Sequence, residues 1–324
     1  MTIVTGRRAA LGLPWLLAAA SARAQDFPNR PLRILVPFPP GGITDALARS
    51  VAERMGEFLG RPVVTENRPG ATGQVGSQAL LAEPPDGHAM ILYNGGTHGI
   101  LPALRRLPFD AGRDFHGIGL IALSPLALAV PTALPAHDLA EFLALARATP
   151  GALNYGSAGL GSAAHIMGAL LNHAAGLRMV HVPYPGLAPA LAALAAGQVQ
   201  VLFDAAGVKA LVDGGRARAL ATTGERRWSM TPDVPSFAEA GLPALTYESW
   251  AGLAVRAGTP PAIVQRLNAA LVAALASEPT RRALAAIGYA PPGWANTPAA
   301  LDDFAHAERA RWAALVRDTG MAIE

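Results

Sequence analysis

The chain has 324 residues, of which 51% are hydrophobic and 15% charged, with 34 Gly, 28 Pro and no Cys. This length and apolar content exclude intrinsic disorder and predict more than one packed unit, since single cores stop growing near roughly 250 to 300 residues. Without cysteine there is no disulfide framework, no thiolate nucleophile and no zinc ribbon.

Arg7 and Arg8 precede an uncharged run over residues 9–20, and Ala22-Arg23-Ala24 places small residues at the two positions a signal peptidase reads. Residues 1–24 are therefore expected to be a cleaved export signal. Arg23 ends the apolar run short of the ~20 residues a membrane span needs. The Ala9-Ala10-Leu11 after the arginine pair is a weak match to a twin-arginine address, so the export route stays open. The whole net charge of +3 lies in this segment, in Arg7, Arg8 and Arg23. Residues 25–324 carry 23 basic and 23 acidic side chains, which removes the apparent case for a nucleic-acid partner.

Beyond the signal, strands alternate with helices. Residues 32–38 form a short apolar run bounded by prolines, the pattern of a buried strand. Pro39-Pro40-Gly41-Gly42 breaks it, and Leu47, Val51, Met55 and Phe58 then mark one face of a helix, with Thr44 or Asp45 placed to cap it. Further strands are expected at 63–66, 88–93, 153–155, 178–182, 198–203 and 218–222, and helices at 139–148, 163–174, 188–196 and 261–276. This alternation predicts an α/β fold of parallel sheets with helices on both faces. Two long apolar runs, 118–130 and 246–255, read as crossings between lobes. Lobe 1 is then 25–122 plus 246–324, and lobe 2 is 123–245, with a ligand cleft between them; one continuous large sheet is the alternative.

Three strand-loop-helix junctions carry the chemistry: Pro39-Pro40-Gly41-Gly42-Ile43-Thr44-Asp45, Tyr155-Gly156-Ser157-Ala158-Gly159-Leu160-Gly161-Ser162, and Pro183-Tyr184-Pro185-Gly186-Leu187-Ala188. Glycine lets backbone approach a ligand, and a helix start offers free N–H groups and partial positive charge, a setting for an anion. Any one of them alone reads more simply as a plain turn. No Asp or Glu occurs over residues 142–203, which hold Arg147, Arg178 and two of the three loops, so nothing there repels a carboxylate or phosphate.

Enzyme signatures are weak by comparison. Gly159-Leu160-Gly161-Ser162-Ala163-Ala164 fits dinucleotide-loop spacing, but the ribose-binding acid expected about 20 residues later falls in the acid-free run. Ser162 and His165 lie on one helix face and supply the alternative reading, an exported serine hydrolase, though no third group orients the base. His98, His165, His173 and His181 lack metal-ligand spacing. No catalytic residue, metal or cofactor is expected.

The ordered motifs resemble one family. Phe27-Pro28-Asn29-Arg30-Pro31, Val36-Pro37-Phe38-Pro39-Pro40-Gly41-Gly42 with Asp45, Glu66-Asn67-Arg68-Pro69-Gly70-Ala71 with Gly73 and Gly76, and Pro85-Asp86-Gly87 are similar to the Bug family, the periplasmic substrate-binding receptors of tripartite tricarboxylate transporters. Likeness continues through Tyr155-Gly156-Ser157-Ala158-Gly159, His165, His181-Val182-Pro183-Tyr184, Pro232-Asp233-Val234-Pro235, Glu239-Ala240-Gly241-Leu242-Pro243 and Ala257-Gly258-Thr259-Pro260. The resemblance implies a monomeric, two-lobed periplasmic binding protein that holds an organic acid through main-chain N–H groups, hydroxyls and water, and passes it to a membrane permease or reports it to a sensor kinase. By the same resemblance, Pro40, Gly41, Gly42 and Asp45 line the first lobe's wall, and Gly156, Ser157, Gly159, Gly161, Ser162 and His165 line the second. Tyr184, Gly186 and Asp204 finish the pocket. Pro185 stands where the family often has Lys, and His88-Ala89-Met90 where Tyr-Thr-Leu is common; the first departure removes a cation beside Tyr184.

Overall fold

The computed structural model describes residues 27–319. The expected export segment lies outside them. In chain order the elements are β1 (Leu32–Val36), α1 (Ile43–Leu59), β2 (Val63–Asn67), α2 (Gln74–Ala82), β3 (Ala89–Asn94), α3 (Leu101–Leu104), β4 (Phe115–Pro125) and β5 (Ala127–Pro131). They continue as α4 (Leu139–Ala148), β6 (Asn154–Ser157), α5 (Ala163–Ala175), β7 (Val180–Pro183), α6 (Leu187–Ala195), β8 (Val201–Asp204), α7 (Ala206–Asp213) and β9 (Ala217–Thr222). The chain closes with β10 (Glu248–Arg256), α8 (Pro261–Ala276), α9 (Glu278–Ala286) and α10 (Pro298–Thr319). Among the described residues no helix is long and apolar enough to cross a membrane.

Two five-stranded sheets result, ordered β2-β1-β3-β10-β4 and β7-β6-β8-β5-β9. In β1, Leu32, Ile34, Leu35 and Val36 are all buried, as a strand covered on both faces requires. On α1 the buried face holds Leu47, Val51, Met55 and Leu59. Phe58, expected on that face, is 52% exposed, because Leu59 takes the inward position one residue later. Neither Thr44 nor Asp45 caps this helix. Its N-cap is Gly42, without a side-chain bond, and Asp45 reaches back to Gly41 instead.

The sheets are not wholly parallel. β1, β2 and β3 run parallel, as do β6, β7 and β8, but β10 is antiparallel to β3 and β4, and β5 is antiparallel to β8 and β9. The reversed strands belong to the passages between the sheets. They arrive without the helical crossover that returns a strand parallel to its predecessor. The 118–130 run is split by Leu126: β4 ends at Pro125 in the first sheet and β5 begins at Ala127 in the second. The return passage leaves β9 at Thr222 and enters β10 at Glu248. One hydrophobic core extends through Leu126, Ala127, Leu128, Ala129 and Val130 into both sheets.

This topology sets the carboxyl ends of β1, β2 and β3 at one loop cluster and those of β6, β7 and β8 at another. Crevices at the carboxyl ends of parallel strands are where open α/β sheets hold ligands. The two clusters also meet, because α5 packs against the π-helical turn Gly95–Ile100 that follows β3.

Candidate functional site

At the first sheet's edge the Pro40-Gly41-Gly42 loop turns through a left-handed Gly41 at φ +80° into α1. Asp45 is 4% exposed and fully engaged. Its Oδ2 accepts the Gly41 N–H at 3.1 Å and Arg49 Nε at 2.9 Å, and its Oδ1 accepts Asn67 Nδ2 at 3.0 Å. Asn67 Nδ2 also donates to the Phe38 carbonyl at 3.1 Å. Burial opposes ionisation of Asp45, but the hydrogen bonds from Arg49, Gly41 and Asn67 outweigh it and hold the carboxyl below its ordinary value. Asp45 and the Gly41 N–H are therefore used on the loop itself. The N–H groups of Gly42, Ile43 and Thr44 have no partner among the described residues.

A neighbouring turn after β2 is strained. Ala71 and Thr72 lie at φ +47° and +55°, where a side chain costs roughly 1–2 kcal/mol per residue. The Thr72 carbonyl accepts the Thr97 hydroxyl at 3.0 Å, and Asn94 Oδ1 accepts the Thr97 N–H at 3.0 Å, so this turn and the Gly95–Ile100 turn are locked together.

The second edge follows the same logic. Ser157 is fully buried, and its Oγ accepts the Gly159 N–H at 3.1 Å while sharing a 2.7 Å hydrogen bond with His181 Nε2. Gly159 and Gly161 take left-handed φ of +111° and +77°. Ser162 is the N-cap of α5, its Oγ accepting the His165 N–H at 3.4 Å, and the Gly161 N–H donates to His165 Nδ1 at 3.1 Å. The side chains again hold the loop, and the N–H groups of Leu160, Ala163 and Ala164 have no partner among the described residues. Tyr184 is tied in through its N–H, which donates to the Ser157 carbonyl at 3.0 Å. Its ring lies over Gly156, where an added Cβ would sit 3.6 Å from Cε2. Gly186, at φ +141°, starts α6 without a side-chain cap.

Asp204 ends β8, two strands from β7. Its Oδ2 accepts the Gly207 N–H at 2.9 Å. Burial pushes its carboxyl up to about 6, against the opposing pull of the Gly207, Ala205 and Val208 N–H groups.

Of the expected residues, Gly156, Ser157, Gly159, Gly161, Ser162, His165 and Tyr184 gather at one strand edge, with Asp204 at the end of the next strand; Pro40, Gly41, Gly42 and Asp45 gather at the other edge. Ser162 and His165 are not hydrogen-bonded to each other through hydroxyl and ring: the Ser162 hydroxyl meets the His165 backbone and the ring meets Gly161. Arg147 donates to the Ala175 carbonyl at the far end of α5, and Arg178 precedes β7, so neither cation stands at the loops. His181 and the Ala71–Thr72 turn were not among the expected site residues. The turn has a sequence signal, the paired Gly70 and Gly73, whereas the part played by His181 depends on Ser157, 24 residues earlier. A separate cavity of about 780 Å³ beside the passages between sheets, lined by Trp228, Tyr247, Trp294 and Arg311 among others, shares no residue with either loop cluster.

Residues 47–321 match the family described as the tripartite tricarboxylate transporter family receptor. A UPF0065 protein from the tcbD-tcbE intergenic region of a Pseudomonas species is 37% identical over 315 residues, which covers 96% of this chain and 93% of that one. A Rhodopseudomonas palustris protein solved with adipate superposes with a TM-score of 0.84 at 35% identity, covering 92% of this chain and 99% of that chain. MatC of R. palustris, solved with bound malate, superposes with a TM-score of 0.82 at 34% identity, covering 90% and 100%.

Proposed function

The chain belongs to the receptor family of tripartite tricarboxylate transporters, and on that premise we propose that it is an exported periplasmic receptor that closes two lobes on a small organic acid. The observation that carries the reading is the set of unpartnered N–H groups at the starts of α1 and α5; the arginines beside the first loop cluster, Arg49 and Arg68, are paired with Asp45 and Glu66, and neither Arg147 nor Arg178 stands at the second. Backbone donors at a helix start stabilise a nearby anion by about 0.3–1 kcal/mol, and up to ~2 kcal/mol when partly buried. Several such donors converging on one carboxylate account for capture without an ion pair. Relatives solved with malate and adipate support the ligand class.

Pro40, Gly41 and Gly42 with Asp45 shape one wall; Gly156, Ser157, Gly159, Gly161, Ser162 and His165 shape the other; Tyr184, Gly186 and Asp204 border it. The lobes are 25–122 with 246–324, and 123–245. The break between β4 and β5 at Leu126, a few residues past the first boundary, supports that division. Residues 1–24 direct export and are removed. The loaded receptor delivers its acid to a membrane permease or reports it to a sensor kinase, and it needs no cofactor and carries out no reaction.

Calorimetric titration of the purified protein with mono-, di- and tricarboxylates, amino acids and aromatic acids tests this. Binding of at least one carboxylate is expected. Binding of phosphates or neutral sugars alone would overturn the ligand class, and ester turnover abolished by Ser162→Ala would restore the hydrolase reading.

A further inference from the structure

His181, on β7, is the meeting point of three side chains at the second loop cluster. Its Nε2 shares the 2.7 Å hydrogen bond with Ser157 Oγ. Its ring stacks on His165 with centroids 4.1 Å apart and planes 27° apart, and on Tyr155 at 4.9 Å. His165 in turn has a defined tautomer. Because Nδ1 accepts the Gly161 N–H, the neutral ring carries its proton on Nε2. His165 is 6% exposed, and this Nε2 has no hydrogen-bond partner among the described residues. It is a neutral donor on the same turn as the free N–H groups of Ala163 and Ala164.

We propose that His181 is a positioning residue of the ligand site: its bond to Ser157 and its stack on His165 hold the His165 Nε2–H in line with the backbone donors of Leu160, Ala163 and Ala164, so that all four meet one ligand carboxylate. The proposal rests on the organic-acid reading and deepens it.

A proton linkage follows from this geometry. Burial keeps His165 below its ordinary value, and burial followed by the charge of His165 lowers His181 to about 4, so the free site holds two neutral rings near pH 7. A carboxylate at Nε2–H favours a protonated pair, but a proton on His165 Nδ1 would displace the Gly161 N–H and two imidazolium rings stacked at 4.1 Å would repel, so the pair takes up at most one proton on capture. The other titratable or charged groups around the pair are Tyr155 on β6, raised to about 12; Tyr184; Asp204 at the end of β8; His98 in the turn against α5, lowered to about 3 by burial; and His173 and Arg178 at the far end of the layer. Of these, Asp204 titrates at about 6, inside the same interval, and Asp204→Asn is the control that removes it.

The experiment titrates the protein with succinate, malate and adipate between pH 7.5 and 5.5, in buffers of different ionisation enthalpy. Asp204→Asn should take up as much as one proton per acid at pH 5.5 and about none at pH 7.5, with affinity rising up to about ten-fold if the bound ring regains its ordinary value near 6.5, and wild type should show this uptake and rise with the contribution of Asp204 added to them. His181→Ala should weaken capture by about ten-fold or more and remove the linkage, while His181→Gln, which keeps a polar group at Ser157, should recover the affinity at pH 7.5 to within about three-fold. Nitrogen NMR of the free protein supplies a ligand-independent reading: the His165 Nε2–H tautomer should persist in wild type and His181→Gln and be lost in His181→Ala. Wild-type affinity and pH profile in His181→Ala would overturn the positioning role while leaving the organic-acid reading intact. Failure of wild type to bind any of the three acids, nor any other carboxylate, would overturn both.

Discussion

Thr223 and Leu126 exchange two hydrogen bonds where the chain passes between the sheets: the Leu126 N–H donates to Thr223 Oγ1 at 2.8 Å, and the Thr223 N–H donates to the Leu126 carbonyl at 2.8 Å. Thr223 Oγ1 then donates to the Tyr247 carbonyl at 2.6 Å, and the Tyr247 N–H returns to the Thr223 carbonyl at 2.7 Å. One buried threonine thus ties the outward passage at Leu126 to the returning one at Tyr247. Thr223→Val keeps the shape but leaves a buried N–H and a buried C=O unpaired, at about 1–3 kcal/mol each. The expected loss in urea denaturation is about 2–6 kcal/mol, with Thr223→Ser within about 1 kcal/mol of wild type. A valine variant as stable as wild type would show that the tie contributes nothing.

Asp45 is a second case of a side chain used on its own loop. Asp45→Ala frees the Gly41 N–H, Asn67 Nδ2 and Arg49, and the loop before α1 loses the anchor that holds its free donors in place. Expected are a loss of about 1–3 kcal/mol in stability and a weaker acid affinity together. The folded carboxyl is depressed, so its contribution is present above the ordinary value near 3.8 and is lost as pH falls through the lower folded value. The difference between wild type and Asp45→Ala should therefore shrink below about pH 4. An affinity loss without any stability loss would instead make Asp45 a direct ligand contact.

These two residues mark where sequence reasoning succeeds and where it stops. Local pattern located every parallel strand, because short apolar runs such as Leu32–Val36 have no other way to be buried, and it located α4 and α8 to the residue. The strand expected from 198 starts at Val201, since Gln200 turns its side chain to Gly197 and to the Asn154 N–H. The antiparallel direction of β10 was out of reach: it is set by β3 and β4, more than a hundred residues earlier in the chain. The same holds for the site. Motifs mark Asp45, Ser157 and Ser162, but whether each faces a ligand or its own loop depends on packing, and here all three face the loop.

Gly168 on α5 tests how far packing behind the site controls it. An added Cβ there would lie 2.2 Å from Tyr155 Cδ2, so the ring must move. Tyr155 stacks on His181 at 4.9 Å, which carries the displacement to Ser157. Gly168→Ala gains helix propensity of about 1 kcal/mol, yet overpacking of this kind costs about 1–3 kcal/mol. The expected outcome is a protein no more stable than wild type by thermal melting and several-fold weaker in acid binding. A variant that is more stable and binds normally would separate Tyr155 from the site.

Asp204 gives a prediction with an opposite pH sign to that of Asp45. Its folded value of about 6 lies above the ordinary 3.8, so the folded state binds the proton more tightly than the unfolded chain. The favourable contribution is fully present below about pH 4, fades between 4 and 6, and above 6 the buried carboxylate is a net burden of at most ~3 kcal/mol. Part of the side chain remains accessible, which reduces that burden. Asp204→Asn keeps an oxygen for the Gly207 N–H and has no charge to desolvate. It should therefore be about 1–2 kcal/mol more stable than wild type at pH 7.5, and the gap should close by about pH 4.5. Because the same charge repels an anionic ligand, the variant should also bind carboxylates more tightly at pH 7.5. Melting curves and titrations at both pH values check this, and an asparagine variant destabilised equally at both would mean that the carboxylate is stabilised by its three N–H donors more than burial disfavours it.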